Sequence, residues 1–477
     1  MGVRDRGDFQ TPAALAAQVV RAALGAAPPR SILEPTCGRG SLLAAAIERA
    51  PAATAVGVEI DATHLAACRA AVGDGARLIE ADFFALDWPA LLASLPDPLL
   101  VIGNPPWVTS ATLGALGAAN APVRSAALVD TAGGGLAALT GRSNFDISEW
   151  MLWHLWPLLA ARRATLAMLV KTAVARKVLA RAWRDGSGPV DAGLHRFDAG
   201  ASFQASVEAC LLVCRFGPGA RVETCTVHDG IGGPPVASFG LVEDELVADV
   251  ASYTRHRKLL ASGLGARRWR SGVKHDCSAV VELRREGAVL RNRAGEAVEV
   301  EPELLYPLFK SAGLHRGLAP ERVLLLPQRW PGEDPARLAA EAPRAWAYLR
   351  RHGARFDARK SSIYRNRPRF SVFGVGDYSF APWKVAVSGF YKELVFRVIG
   401  PHQGQPVLFD DTCYFVACDD RAHADRVLAA LHSAPVQALL RSMVFWDAKR
   451  PITARLLQRL DLDRLTARPG TAPLLPA

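Results

Sequence analysis

Short apolar strands that each end in a glycine or an acidic residue, separated by helix-patterned segments, fix the fold of the first half of this 477-residue chain. Ser31-Ile32-Leu33 runs into Glu34-Pro35-Thr36-Cys37-Gly38-Arg39-Gly40, and Ser41 to Ala50 has helical spacing. Ala55 to Val58 and a helix over 62–71 repeat the unit. A strand at 76–79 follows, then Leu99 to Gly103, apolar throughout as a strand covered on both faces should be. A helix over 146–161, a strand over 164–170 and a β-rich run from Val207 to Phe216 complete the series. Strands alternating with helices predict a doubly wound, mostly parallel α/β sheet of Rossmann-like type. A helix over 12–27 precedes it, opened by Thr11-Pro12.

A Gly-, Pro- and acid-rich stretch at 217–250 predicts a boundary between domains 1–240 and 241–477. The second domain reads as α+β. Its β-prone runs are Val280–Leu283, Val323–Leu326, Phe370–Val375, Val385–Val387 and Cys413–Ala417, with helices over 335–352 and 422–446. Charge divides the same way. Residues 1–250 hold 20 Lys and Arg against 24 Asp and Glu, whereas residues 251–477 hold 37 against 22. A basic back half suits a polyanion. Eight of the twenty residues in 350–369 are Arg or Lys. Arg355, Arg359, Lys360, Arg365, Arg367 and Arg369 are therefore candidate DNA ligands, with Phe356 and Tyr364 as rings to wedge or stack. A second cluster, from Arg255 to Lys274, contains Trp269.

No run approaches the roughly 18 apolar residues of a membrane span. The first eight residues are polar, and the eight cysteines have neither CxxC nor zinc-site spacing. Buried, reduced thiols, no metal, no membrane and a cytoplasmic setting are the expectations.

The strand ends carry the chemistry. Gly38 and Gly40 let backbone approach a ligand at the carboxyl end of the first strand, where doubly wound sheets bind them. The loop is neither GxGxxG nor GxxxxGK[ST], and Glu34 beside it repels phosphate. A carboxylate there suits the cationic amino acid end of S-adenosylmethionine, with Pro35, Thr36, Gly38 and Gly40 forming the cradle. At the tip of the second strand Glu59 is placed to accept from both ribose hydroxyls; Asp61 is the alternative, or a helix N-cap. After the third strand Asp82 can accept from an adenine amine and Phe83 can pack on the ring.

The fourth strand ends in Asn104-Pro105-Pro106-Trp107. An adenine N6 amine is a poor nucleophile because its lone pair is delocalised into the ring. Its two hydrogens can be accepted by the Asn104 side-chain oxygen and the Pro105 carbonyl, which localises the lone pair for in-line attack on a sulfonium methyl. Pro105 and Pro106 stiffen the turn. Trp107 can stack on a base flipped out of the duplex.

An Asn-Pro-Pro-aromatic turn after the fourth strand, with Glu-Pro-x-x-Gly-x-Gly upstream, resembles the adenine-N6 DNA methyltransferases, and the order of parts is similar to their gamma class. The resemblance spans residues 1–216. It implies a class I methyltransferase domain followed by a target recognition domain, S-adenosylmethionine as cofactor and double-stranded DNA as substrate. It further implies a monomer acting beside a separate cognate restriction endonuclease. Gly7-Asp8-Phe9-Gln10-Thr11-Pro12 matches the class's N-terminal motif, so Thr11 and Pro12 are expected to hold the methionine part of the cofactor. Phe203, in Ser202-Phe203-Gln204, is expected to form the other wall of the base pocket, and Asn144-Phe145-Asp146 to line the cofactor pocket. Similar motifs occur in RNA adenine methyltransferases. A non-catalytic DNA-binding specificity protein on the same fold would have lost Asn104 or Glu34. No nuclease segment of PD…(D/E)xK type is present.

Overall fold

In the computed structural model, residues 9–25, 27–108, 146–205, 207–261 and 267–467 are described. The chain divides into two compact units, Met1–Ala251 and Ser252–Ala477.

The first unit is built on one sheet. Its strands are β1 (Ser31–Glu34), β2 (Thr54–Glu59), β3 (Arg77–Glu80), β4 (Leu99–Gly103), β5 (Ala164–Lys171), β6 (Asp191–Phe197), β7 (Ala209–Phe216), β8 (Thr224–His228), β9 (Pro235–Val242) and β10 (Glu245–Val247). They lie side by side in the order β10-β9-β8-β6-β7-β5-β4-β1-β2-β3. The five strands β3, β2, β1, β4 and β5 are parallel, and β7 runs antiparallel between β5 and β6. This is the doubly wound, mostly parallel sheet expected of a class I methyltransferase. Because the parallel strands share one direction, Glu34, Glu59, Glu80 and Gly103 all end at the same rim.

Period-two alternation divides the core between the faces. Ile32, Leu100, Ile102, Ala167, Leu169, Leu211 and Val213 form one cluster with helices α1 (Ala13–Ala23), α2 (Ser41–Arg49) and α3 (Ala62–Val72). The intervening Leu33, Leu99, Val101, Leu166 and Met168 are equally buried. The sheet also packs against α5 (Ile147–Ala160) and α6 (Thr172–Arg184); α4 spans Trp88–Ala93 and α7 spans Ala199–Phe203. Each fully buried Leu or Ile contributes about 1.5–3 kcal/mol, so the rim at the strand ends stands on a well-packed core.

The stretch expected to hold the domain boundary extends this sheet: β8, β9 and β10 form antiparallel hairpins on the edge of β6. Its glycines serve the turns, as Gly230 and Gly232 do at φ 86° and 74°. The compact units accordingly divide after Ala251 rather than at 240.

The second unit holds a five-stranded and a four-stranded sheet with short helices. The runs at 323–326, 385–387 and 413–417 fall on strands Arg322–Leu325, Trp383–Ser388 and Cys413–Cys418. The run at 370–375 makes only an isolated bridge, Lys274 to Phe373. The helix expected over 335–352 is broken at Pro343, which cannot donate to the preceding turn, and the one over 422–446 is interrupted at Ser433, which is extended at φ −62°, ψ 142°. All eight cysteines are free and buried. Among the described residues no helix is long and apolar enough to cross a membrane, and no cluster of His, Cys, Asp and Glu could hold a metal ion.

Candidate functional site

β1 and β4 are neighbours, so the glycine loop and the Asn-Pro-Pro-Trp turn leave the rim side by side. A Cβ added to Gly103 would lie 3.6 Å from Pro35. The loop needs its glycines: Gly38 and Gly40 have φ of 51° and 85°, and a Cβ on Gly40 would meet the Cys68 Sγ at 2.7 Å. The Cys37 amide donates to the Val58 carbonyl at 2.8 Å, which fastens the loop to β2.

Glu34 is 3% exposed, and its Oε2 has no hydrogen-bond partner. Burial, with Cys68 and Glu59 nearby, pushes its carboxyl well above the ordinary carboxylate range. The Thr36 Oγ1 in the same loop is likewise buried and unpartnered. Glu59, at the tip of β2, accepts from the Gly38 amide at 2.8 Å and from the Ile60 and Asp61 amides, both at 2.9 Å. It thus joins the acidic strand end to the glycine loop. Asp61 is the N-cap of α3, accepting from Thr63 N at 2.8 Å and His64 N at 3.1 Å. Asp82 closes its own turn by accepting from Phe84 N at 2.9 Å. Phe83 is 4% exposed, enclosed by Phe84, Trp88 and His154 at ring distances of 5.1, 4.7 and 5.9 Å. It supports the wall of that end instead of presenting a free face.

The orientation of Asn104 is determined by its partners. Its Nδ2 donates to the Phe9 carbonyl at 2.7 Å and to Thr11 Oγ1 at 3.3 Å. A carbonyl can only accept, so the atom facing Phe9 must be the amide nitrogen. The other terminus, Oδ1, is buried and has no hydrogen-bond partner. The Pro105 carbonyl next to it accepts no hydrogen bond among the described residues. Two acceptors therefore stand open at one turn.

Around them is an aromatic enclosure. Trp107 and Phe203 meet edge to face, with ring centroids 5.3 Å apart at 82°. Phe9 closes the third side, 5.4 Å from Trp107 and 5.8 Å from Phe203. The Trp107 indole donates to the Leu169 carbonyl at 3.1 Å, which fixes its plane on β5. Phe203 ends α7, where Gln204 turns back at φ 54°.

Phe9 and Gln10 are site residues that the motif reading did not single out. The segment 9–11 bridges both halves of the site: Phe9 and Thr11 hold Asn104, while the Gln10 Oε1 accepts from the Arg39 amide at 3.1 Å. The available signal was the motif Phe9-Gln10-Thr11-Pro12 itself, which had been read only for Thr11 and Pro12. Thr11 is 8% exposed and Pro12 is exposed. Lys171 was also missed. It ends β5 and pairs with the buried Asp146 at 2.6 Å, while Asp146 caps α5. Ile147 N donates to the Val108 carbonyl at 2.9 Å, so the chain returns beside the Asn-Pro-Pro-Trp turn. Asn144 and Phe145 lie outside the described residues.

In the second unit the arginine run divides in two. Arg359 directs its guanidinium at the carbonyls of Phe356 (3.0 Å), His275 (3.3 Å), Ser371 (2.7 Å) and Arg369 (2.6 Å), and lies 3.6 Å above the Tyr364 ring. Arg369 pairs with Asp357. Phe356 is 2% exposed and Tyr364 is half-buried beneath Arg359. Neither ring is presented to a ligand. Arg355, Lys360, Arg365 and Arg367 are exposed.

No family model matches the chain. It is similar to the Type II methyltransferase M.NspV of Nostoc sp., at 38% identity over 468 residues covering 96% of each protein. Among solved structures it is similar to the Type IIL restriction-modification enzyme MmeI in complex with DNA (TM-score 0.48, 12% identity, 92% of this chain and 71% of that one). It is also similar to a class I S-adenosylmethionine-dependent methyltransferase of Listeria monocytogenes (TM-score 0.31, 15% identity, 46% of this chain and 65% of that one). With identity of that extent running through both units, the chain belongs to the Type II methyltransferases.

Proposed function

We propose that the chain methylates the N6 amine of an adenine flipped out of double-stranded DNA, with S-adenosylmethionine as methyl donor. The observation that carries this reading is the side chain of Asn104: its nitrogen is committed to Phe9 and Thr11, leaving a buried oxygen with nothing to accept from.

The cofactor end of the cleft fits the donor. Glu34 Oε2 and Thr36 Oγ1 are buried acceptors without partners, and such groups are costly unless a ligand satisfies them. Glu34 complements a cationic amino group, and that charge draws the carboxyl back toward its ionised form. Thr11 and Pro12 flank the same end, Gly38 and Gly40 admit backbone contact, Glu59 takes the ribose hydroxyls and Asp82 the adenine amine. When bound, the sulfonium supplies an electrophilic methyl.

The chain's own residues do the rest. Asn104 Oδ1 and the Pro105 carbonyl accept the two amine hydrogens, which draws the nitrogen lone pair out of the ring. Pro105 and Pro106 hold those acceptors in place beforehand, so the field need not reorganise during transfer. Trp107 and Phe203 grip the base, with Phe9 as a third wall; the three rings must part to admit it. The exposed Arg355, Lys360, Arg365 and Arg367 bind DNA phosphates, while Arg359 and Arg369 maintain the loop that presents them.

The test is nucleoside mass spectrometry after incubating the purified chain and S-adenosylmethionine with unmethylated genomic DNA, and in parallel with cellular RNA. N6-methyldeoxyadenosine in the DNA alone is expected. A modified cytosine, or methylation confined to RNA, would overturn the reading.

A further inference from the structure

The reading of the second unit as a DNA-recognition module calls for an aromatic side chain that can reach bases. Neither ring of the arginine run is free to do so. The structure offers a different one. After strand Arg322–Leu325 the chain turns through Pro327-Gln328-Arg329-Trp330-Pro331-Gly332-Glu333. Trp330 is 53% exposed, the most exposed large hydrophobic side chain among the described residues. Its indole makes no hydrogen bond or ring contact with another described residue.

The turn beneath it is firmly built. Gln328 and Glu333 are 1% and 8% exposed, unusual burial for such polar side chains. The Trp330 carbonyl accepts from Gln328 Nε2 at 3.0 Å and from the Glu333 amide at 3.3 Å. Glu333 Oε2 takes the Arg329 amide, and Gly332 supplies the left-handed bend at φ 88°. The polar groups of the loop thus face inward and hold its backbone, while the indole faces water. The loop is also fastened beside the basic segment. Gln328 Oε1 accepts from Val372 N at 2.8 Å, and Arg359 donates to the adjacent Ser371 carbonyl at 2.7 Å. Both elements therefore hang on the same stretch of chain, 369–372, and the exposed Ile363, Arg365 and Arg367 directly precede it.

We propose that Trp330 is a DNA-stacking residue of the recognition unit, wedged against the bases of the bound duplex while the neighbouring arginines take its phosphates. This rests on the DNA methyltransferase reading above. An exposed indole on a firmly held loop, with cationic side chains in the adjoining segment, suits duplex DNA: its π-face tolerates any base, and the positive surface matches the backbone. An apolar wedge also eases the unstacking that base flipping requires.

The test measures fluorescence anisotropy of a labelled duplex carrying the motif that the wild-type chain methylates, across a salt series, for Trp330→Ala, Trp330→Phe and Trp330→Lys. Trp330→Ala should weaken binding about ten-fold or more, on the scale of a lost base–aromatic stack, with an unchanged salt slope because no phosphate contact is removed. Trp330→Phe should keep most of the affinity. Trp330→Lys should bind weakly despite its added charge. Thermal melting should be the same for all three, since the side chain stands in water. The proposal fails if Trp330→Ala binds as tightly as wild type, or if Trp330→Lys binds more tightly. A wild-type chain that neither binds nor methylates DNA would instead defeat the enzymatic reading on which the proposal stands.

Discussion

The Asn-Pro-Pro-Trp turn of the first unit and the arginine run of the second carry equally conspicuous sequence signals, yet they differ in what those signals determine. Asn104-Pro105-Pro106-Trp107 leaves the end of a buried parallel strand, so its position follows from the sheet: β4 lies against β1, and the turn stands beside the glycine loop. The run 350–369 lies on the ends of two short helices, Pro343–Arg351 and Gly353–Asp357, and on the largely irregular chain after them. Its basic side chains sort by local packing: Arg359 turns into the fold, Arg369 pairs with Asp357 at the surface, and Arg355, Lys360, Arg365 and Arg367 face solvent. A motif attached to a strand end inherits a geometry, whereas a charge count assigns no individual side chain.

The largest effect that would sharpen the contrast lies at Asn104. Asn104→Ala removes the one oriented side-chain acceptor, and the transfer rate should fall by about 10²–10³ or more, the usual consequence of losing a preorganised hydrogen-bonding partner. Cofactor affinity, followed by equilibrium dialysis, should change little. A variant that loses cofactor and rate together would mean the residue serves the donor's side of the cleft instead.

The arginine run should divide when tested singly. Arg359→Ala leaves several carbonyls without their donor and should lower the stability of the second unit by about 2–4 kcal/mol, seen as a lower thermal midpoint. Arg365→Ala and Arg367→Ala should leave the midpoint almost unmoved while each reduces the salt slope of DNA binding by about one. If all three behave alike, the division read from the hydrogen bonds is wrong.

A smaller effect concerns the acid stability of the second unit. Burial raises the Glu282 carboxyl, but hydrogen bonds from His275 and Lys310 outweigh it and hold the group at about 2, below its ordinary 4.5. Arg322 adds a contact at 3.2 Å. A depressed carboxylate stabilises the fold above its unfolded value and loses that contribution as pH falls toward the folded one, so about 3 kcal/mol should disappear between pH 4.5 and 2. Urea titrations at descending pH should show this loss in the wild type and a flatter profile in Glu282→Gln.

How much was legible in the sequence follows the same division. Strands β1 to β5 were readable because their apolar runs end in recognisable turns, and the neighbours of Glu34, Glu59 and Asn104 are set by strand order. β6 was missed because Asp191-Ala192-Gly193-Leu194-His195-Arg196-Phe197 lacks β-branched residues; pairing with the apolar β7 makes it a strand. Pro235 and the glycines of 217–240 read as a domain boundary because hairpin turns and boundaries use the same residues. At the site, the ring of Phe9 and the carbonyl that orients Asn104 could not be foreseen, since they depend on where residue 9 lands after a separation of 95 positions. The burial of Phe83 and Phe356 was equally illegible, because an aromatic beside a polar motif packs in the core as readily as it stands on the surface.

The central claim is that the open oxygen of Asn104 accepts a hydrogen from an adenine amine. Modified-base sequencing of the genome of a methylation-free host expressing the chain tests it most directly. N6-methyladenine is expected at a single sequence motif with the wild type, and an unmarked genome with Asn104→Ala. Marks on cytosine, or adenine marks that persist without the Asn104 side chain, would contradict it.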